Sequence, residues 1–165
     1  MEKSTRHSKI TGDFAEALVL YWLSKVGYEC ACVDHTGIDL IACTKDGSQR
    51  MGISVQGRSR YAGTEKRSVS LHKFEKARVP CSSFGLIPYA AIVVDGADVI
   101  RCFLLPLDHL EMIAGGKKTR VFPMNDRFLE DRRDDPKVRW FELKLGEYRW
   151  STLPLSRRRK IGLAR

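Results

Sequence analysis

Hydrophobic residues recur along the chain in two periods, and the switches between them divide it into elements. Phe14, Leu18, Tyr21, Trp22 and Val26 follow helical spacing, which predicts a helix over residues 11–26 with those side chains facing a core. Thr11 or Asp13 is placed to cap its start, and Gly27 stands just past its end. Residues 28–34 read as a strand, and Asp34-His35-Thr36-Gly37 reads as a turn. Two strands then flank Lys45-Asp46-Gly47-Ser48, where an Asp-Gly pair between apolar runs is a strong hairpin signal. On the second of these strands the period of two sends Met51, Ile53 and Val55 one way, and Gly52, Ser54, Gln56, Arg58 and Arg60 the other.

Beyond the hairpin, residues 61–68 form a polar loop. Ser70 is placed to cap a second helix over residues 71–83, interrupted at Pro80. Residues 88–95, PYAAIVVD, read as a buried strand, with a turn at Asp95-Gly96. A strand over 99–105 and a short helix over 107–114 follow. After Gly115-Gly116 the stretch 117–137 is mostly charged and loop-like, with Pro123 and Pro136 as breakers. Residues 138–145 alternate as a last strand. Residues 1–10 read as a flexible basic arm, 11–114 as the core, and 115–165 as a charged loop, last strand and basic tail of the same domain. Periodicity alone therefore gives a mixed α/β domain.

Composition narrows the partners. With 165 residues and 43% hydrophobic content the chain has the size and core of one domain. A formal charge of +9 points to a polyanionic partner or an anionic membrane surface. No apolar run reaches the roughly 18 residues needed to span a bilayer. The first residues lack the apolar segment of a secretory signal, so a cytoplasmic location is expected. The five cysteines include no CxxC pair and read as reduced core thiols.

The candidate chemistry sits in the hairpin. Asp39 places a carboxylate between Ile38 and Leu40, and the neighbouring strand carries Gln56 and Arg58 on its polar face. Glu16 lies upstream in the first helix. The order Glu16, Asp39, Gln56-Gly57-Arg58 resembles the active-site pattern of the PD-(D/E)XK, or restriction-endonuclease-like, nucleases and their Holliday-junction-resolvase-like members. That pattern has an acid on one strand and (Asp/Glu)-x-Lys on the next, often with a glutamate on a preceding helix. Here Gln56 stands where an acid is usual and Arg58 where lysine is usual.

The resemblance implies an αβββαβ core with a mixed central sheet flanked by helices, extended at its C-terminus. It implies Glu16, Asp39, Gln56 and Arg58 as the catalytic set. Glu16, Asp39 and Gln56 would be oxygen ligands to a weakly bound Mg²⁺ or Mn²⁺, because Mg²⁺ takes carboxylates, waters and phosphate oxygens. It also implies DNA as partner, and a homodimer in keeping with many members. Arginine stays protonated and cannot be a general base, so Arg58 would clamp phosphate. Arg60, Lys66, Arg67, Lys73, Arg157, Arg158, Arg159 and Lys160 could track a phosphate backbone; Lys76 and Arg78 extend the same run. His35, near Asp39 in sequence, could contact substrate. Alternatives remain at each position. Asp13-x-x-Glu16 also fits a capping box, Arg58 a surface arginine, and Gln56 a solvated sheet face. Two functions stay open, a metal-dependent DNA endonuclease and a catalytically inactive nucleic-acid-binding module that keeps the nuclease fold; a structural or partner-binding α/β domain whose positive charge only aids solubility is a third, weaker one.

Overall fold

The computed structural model describes residues 5–59, 68–96, 99–114, 121–123 and 126–144. Its elements are α1 (Thr5–Lys25), β1 (Glu29–His35), β2 (Ile38–Cys43), β3 (Arg50–Ser59), β4 (Ser68–Ser70), α2 (His72–Glu75), α3 (Arg78–Phe84), β5 (Ile87–Asp95), β6 (Val99–Pro106), α4 (Leu107–Ala114), β7 (Val121–Pro123), α5 (Asp126–Glu130) and β8 (Arg139–Lys144). Six strands form one sheet in the order β1-β2-β3-β5-β6-β8, and β4 pairs with β7 separately. Only β3 and β5 run parallel; the other pairs in the large sheet are antiparallel. The chain is thus α/β, with a mixed sheet flanked by helices, and its elements run in the expected αβββαβ order with β4 inserted before α2.

Alternation along the central strands builds a core on each face of the sheet. Tyr89, Ala91 and Val93 of β5 pack with Met51, Ile53 and Val55 of β3 and with Ala15, Val19 and Leu23 of α1. Ala90, Ile92 and Val94 point the other way, to Phe74, Leu107, Leu110 and Leu129. Strand β5 is apolar without a break because both of its faces are covered. The hairpin turn forms as expected. Gly47 adopts φ +70, its N–H reaches the Thr44 carbonyl at 2.8 Å, and the Asp46 carboxylate accepts from the N–H and hydroxyl of Ser48.

Several expectations need correction. Helix α1 starts at Thr5, so residues 5–10 are helical, and Thr11 and Asp13 lie within the helix. The Thr11 hydroxyl donates back to the His7 carbonyl at 2.8 Å, a bond made inside a helix. The buried seam of α1 is Ala15, Val19 and Leu23, while Phe14, Tyr21 and Val26 are exposed. Small and branched residues form the seam because the helix crosses β3 closely: a Cβ on Gly57 would lie 2.7 Å from the Thr11 carbonyl oxygen. The second helix is two, α2 and α3. Leu71, not Ser70, precedes the first of them, without a side-chain cap. Pro80 sits in the first turn of α3, where a missing N–H costs little. Stretch 117–137 contains β7 and α5, and His109 on α4 holds the turn after α5 through a 2.8 Å contact to Asp135. Of the cysteines, Cys81 and Cys102 are buried, and burial pushes the Cys102 thiol up to about 12. Cys32, by contrast, is exposed. No helix among the described residues is long and apolar enough to cross a membrane.

Candidate active site

The site is made where β2 leaves β3. The two strands pair from Cys43↔Arg50 to Leu40↔Ile53, and continuing that register would set Ile38 opposite Val55. An antiparallel residue turns its N–H and C=O to the same neighbouring strand, so both groups of Val55 would bond Ile38. Side chains bond them instead. The Val55 N–H donates to Asp39 Oδ2 at 2.6 Å, and the Val55 carbonyl accepts from Gln56 Nε2 at 2.8 Å. Asp39 and Gln56 are therefore brought to the peptide groups of one residue, in the gap that β2 opens.

Ser54 supports the carboxylate. It is only 3% exposed, and its hydroxyl hydrogen-bonds Asp39. Burial nevertheless raises the Asp39 pKa, outweighing the bonds from Val55 and Ser54 that favour the ionised form. Glu16 comes from α1, three turns in from the helix start, so it cannot be the fourth residue of a capping box. It lines a cavity of about 400 Å³ with Asp39, Cys32, Val33, His35 and Ile38. Its pKa is also raised, first by burial, then by the negative charges of Asp39 and Asp13. Two carboxylates that each resist ionisation in a shared polar cavity make a place that favours a cation.

The basic residues lie elsewhere. Arg58 directs Nη1 to the Gly57 carbonyl at 2.7 Å, and neither Arg58 nor Gln56 lines the cavity of Glu16 and Asp39. Arg58 stands close enough to Lys73, on α2, for the two like charges to interact; burial and then Arg58 lower the Lys73 pKa. Arg78 is committed to structure, bonding Asp108 at 2.9 Å and Glu111 at 2.5 Å on α4. Arg60, Lys66, Arg67, Arg157, Arg158, Arg159 and Lys160 lie outside the described residues.

Three contributors escape a reading by alternation. Ser54 looked like one more polar-face residue. Gly57 lets α1 approach until Glu16 reaches the sheet; a glycine inside a strand was the available signal. His35 lines the cavity next to a point where β1 carries an extra residue. The β1–β2 register shifts between Cys32↔Leu40 and His35↔Ile38.

Among the described residues no three His, Cys, Asp or Glu side chains are gathered into a ready metal cluster. Two carboxylates still fit a hard divalent cation whose other positions go to water and phosphate oxygens, the usual way Mg²⁺ is held.

No family model matches the chain, and no curated protein matches it. Among solved structures it is similar to Hjc, a Holliday junction resolvase from the archaeal hyperthermophile Archaeoglobus fulgidus. The two are 17% identical, the match covers 71% of this chain and 85% of that one, and the TM-score is 0.45.

Proposed function

We propose that the protein is a metal-dependent DNA endonuclease of the PD-(D/E)XK kind, hydrolysing phosphodiester bonds at the Glu16–Asp39 cavity. The observation that carries this reading is the Asp39 carboxylate held on the Val55 N–H where β2 departs, with Glu16 in the same cavity. The Val55 N–H of β3 holds the Asp39 carboxylate, α1 brings in Glu16, and both side chains line the cavity.

Glu16 and Asp39 would hold Mg²⁺ or Mn²⁺, and Gln56 would add a neutral oxygen once its amide turns from the Val55 carbonyl. Bound there, the ion supplies Lewis-acid polarisation of a phosphoryl oxygen. The remaining work falls to the chain. Asp39 and Glu16 orient the acidic side of the cavity, and Ser54 and Val55 keep Asp39 in place. Arg58 and Lys73, beyond the Asp39 gap, bind the phosphate backbone, which favours a salt-dependent grip on DNA. With one carboxylate fewer than an all-acid set, metal binding is weak.

A second reading, a binding module without cleavage, draws on Arg58. Its guanidinium lies outside the cavity, turned to the Gly57 carbonyl, where it suits phosphate binding better than chemistry. Cleavage of plasmid and branched DNA in Mg²⁺ or Mn²⁺, with Asp39→Ala beside it, tests the first reading. DNA binding with no cleavage in either metal would leave the second.

A further inference from the structure

We propose that His35 is the catalytic proton acceptor of this site, a role that the permanently charged Arg58 cannot take. The proposal rests on the reading of the Glu16–Asp39 cavity as a phosphodiester-hydrolysing centre.

Four features of the structure converge on the imidazole. First, it lines the cavity that holds Glu16 and Asp39, while Arg58 does not. Second, it stands beside a bulge. The pairing of β1 with β2 slips by one residue between Cys32↔Leu40 and His35↔Ile38, and Cys32, Val33 and His35 all line the cavity. Bulges commonly re-aim a side chain beside a site.

Third, Nδ1 lies 3.3 Å from the Thr36 carbonyl oxygen. A carbonyl can only accept, so Nδ1 carries the hydrogen, and the neutral ring keeps its lone pair on Nε2. That is the tautomer a proton acceptor needs. Fourth, Phe84 meets the ring edge-on, with centroids 5.5 Å apart and planes at 86°, which limits its rotation. Phe84 and His35 are both exposed, so neither is there to fill the core.

In the step itself, Nε2 takes a proton from a water molecule while the water oxygen forms a bond to phosphorus. The bond from phosphorus to the leaving sugar oxygen breaks, and that oxygen takes a proton from solvent. The products are a phosphomonoester end and a hydroxyl end, and the imidazolium returns its proton to solvent. Among the described residues the other titratable groups of the cavity are Glu16 from α1, Cys32 from the same strand and Asp39 from β2; α3 sets Phe84 against the ring and the buried Cys81 thiol against Val33 and Ile38.

The test is His35→Ala in the full chain, with single-turnover cleavage and DNA affinity measured in parallel from pH 5 to 9. The expected result is a loss of about 10²-fold or more in cleavage rate, unchanged DNA affinity, and partial recovery on adding free imidazole. The pH profile of cleavage should differ between the two proteins. Equal cleavage with an unchanged pH profile would overturn the proposal. So would a loss that imidazole leaves untouched and that follows weakened DNA binding. If the unaltered protein shows no metal-dependent cleavage while it binds DNA, the reading of the site falls as well, and that outcome is visible without the variant.

Discussion

Neutralising Asp39 should stabilise the fold while it abolishes function. In Asp39→Asn the side chain keeps its shape and still accepts from the Val55 N–H, which donates to Oδ2 at 2.6 Å in the native protein. What disappears is an ionised carboxylate that is half-buried and sits beside the negative charge of Glu16. Two effects oppose each other. A bond to a charged acceptor contributes roughly 1 kcal/mol more than one to a neutral acceptor, and that difference is lost. Against it stands the desolvation that raises the Asp39 pKa despite its hydrogen bonds. The raised pKa means that the folded state disfavours the charge on balance, so the net sign is stabilising. The gain should be about 0.5–1 kcal/mol, or roughly 1–4 °C in Tm for a chain of this size.

The pH dependence has a definite sign. A carboxyl whose folded pKa lies above its unfolded value contributes stability in its protonated form below the unfolded pKa. That contribution is lost as pH rises through the folded pKa. The advantage of Asn over the native Asp39 should therefore be absent in acid and open as pH approaches 7. Adding Mn²⁺ should reverse the order, because a ligand that binds only the folded state raises stability in proportion to its occupancy. Thermal melts of both proteins at pH 4 and pH 7, with EDTA and with Mn²⁺, check all three points. A lower Tm for Asp39→Asn at pH 7 in EDTA would refute the reasoning, as would an equal Mn²⁺ shift in both proteins.

Gly57→Ala should cost about 1–3 kcal/mol by overpacking, since its Cβ would meet the Thr11 carbonyl and Ala15 of α1; denaturant melts measure this, and a neutral change would show that α1 can shift freely. DNA affinity should fall steeply with salt. Lys73→Glu, and reversal of Arg157, Arg158 and Arg159, should weaken it uniformly across sequences in fluorescence anisotropy, and salt-independent binding would contradict this. Gln56→Glu with Arg58→Lys should raise metal-dependent cleavage if the site is a weakened nuclease; no gain with DNA affinity intact would favour the binding module.

Much of the frame was legible because its signals are local. Asp46-Gly47 marks a turn that needs a positive φ, and the unbroken apolar run of β5 marks a strand covered on both faces. Glu16 and Asp39 were legible as a pair through spacing and motif. The start of α1 was not, since Thr11 and Asp13 look like caps at any position, and only tertiary contact shows that the helix is already under way. The large side chains Phe14 and Tyr21 suggested the wrong seam, because the close crossing at Gly57 selects small residues. Strand β7 exists through its pairing with β4, some fifty residues away, which no local pattern records. Residues 34–37 read as a turn from sequence, because the bulge beside His35 leaves no mark in a period-two pattern.

Cleavage decides whether Glu16 and Asp39 form a catalytic centre. The purified protein and its Asp39→Ala variant are incubated with supercoiled plasmid and with branched DNA, in Mn²⁺, Mg²⁺ or EDTA. The expected result is slow cleavage that is greater in Mn²⁺ than in Mg²⁺ and absent both in EDTA and in the variant. Cleavage that survives Asp39→Ala, or DNA that is bound but never cut in either metal, would contradict it.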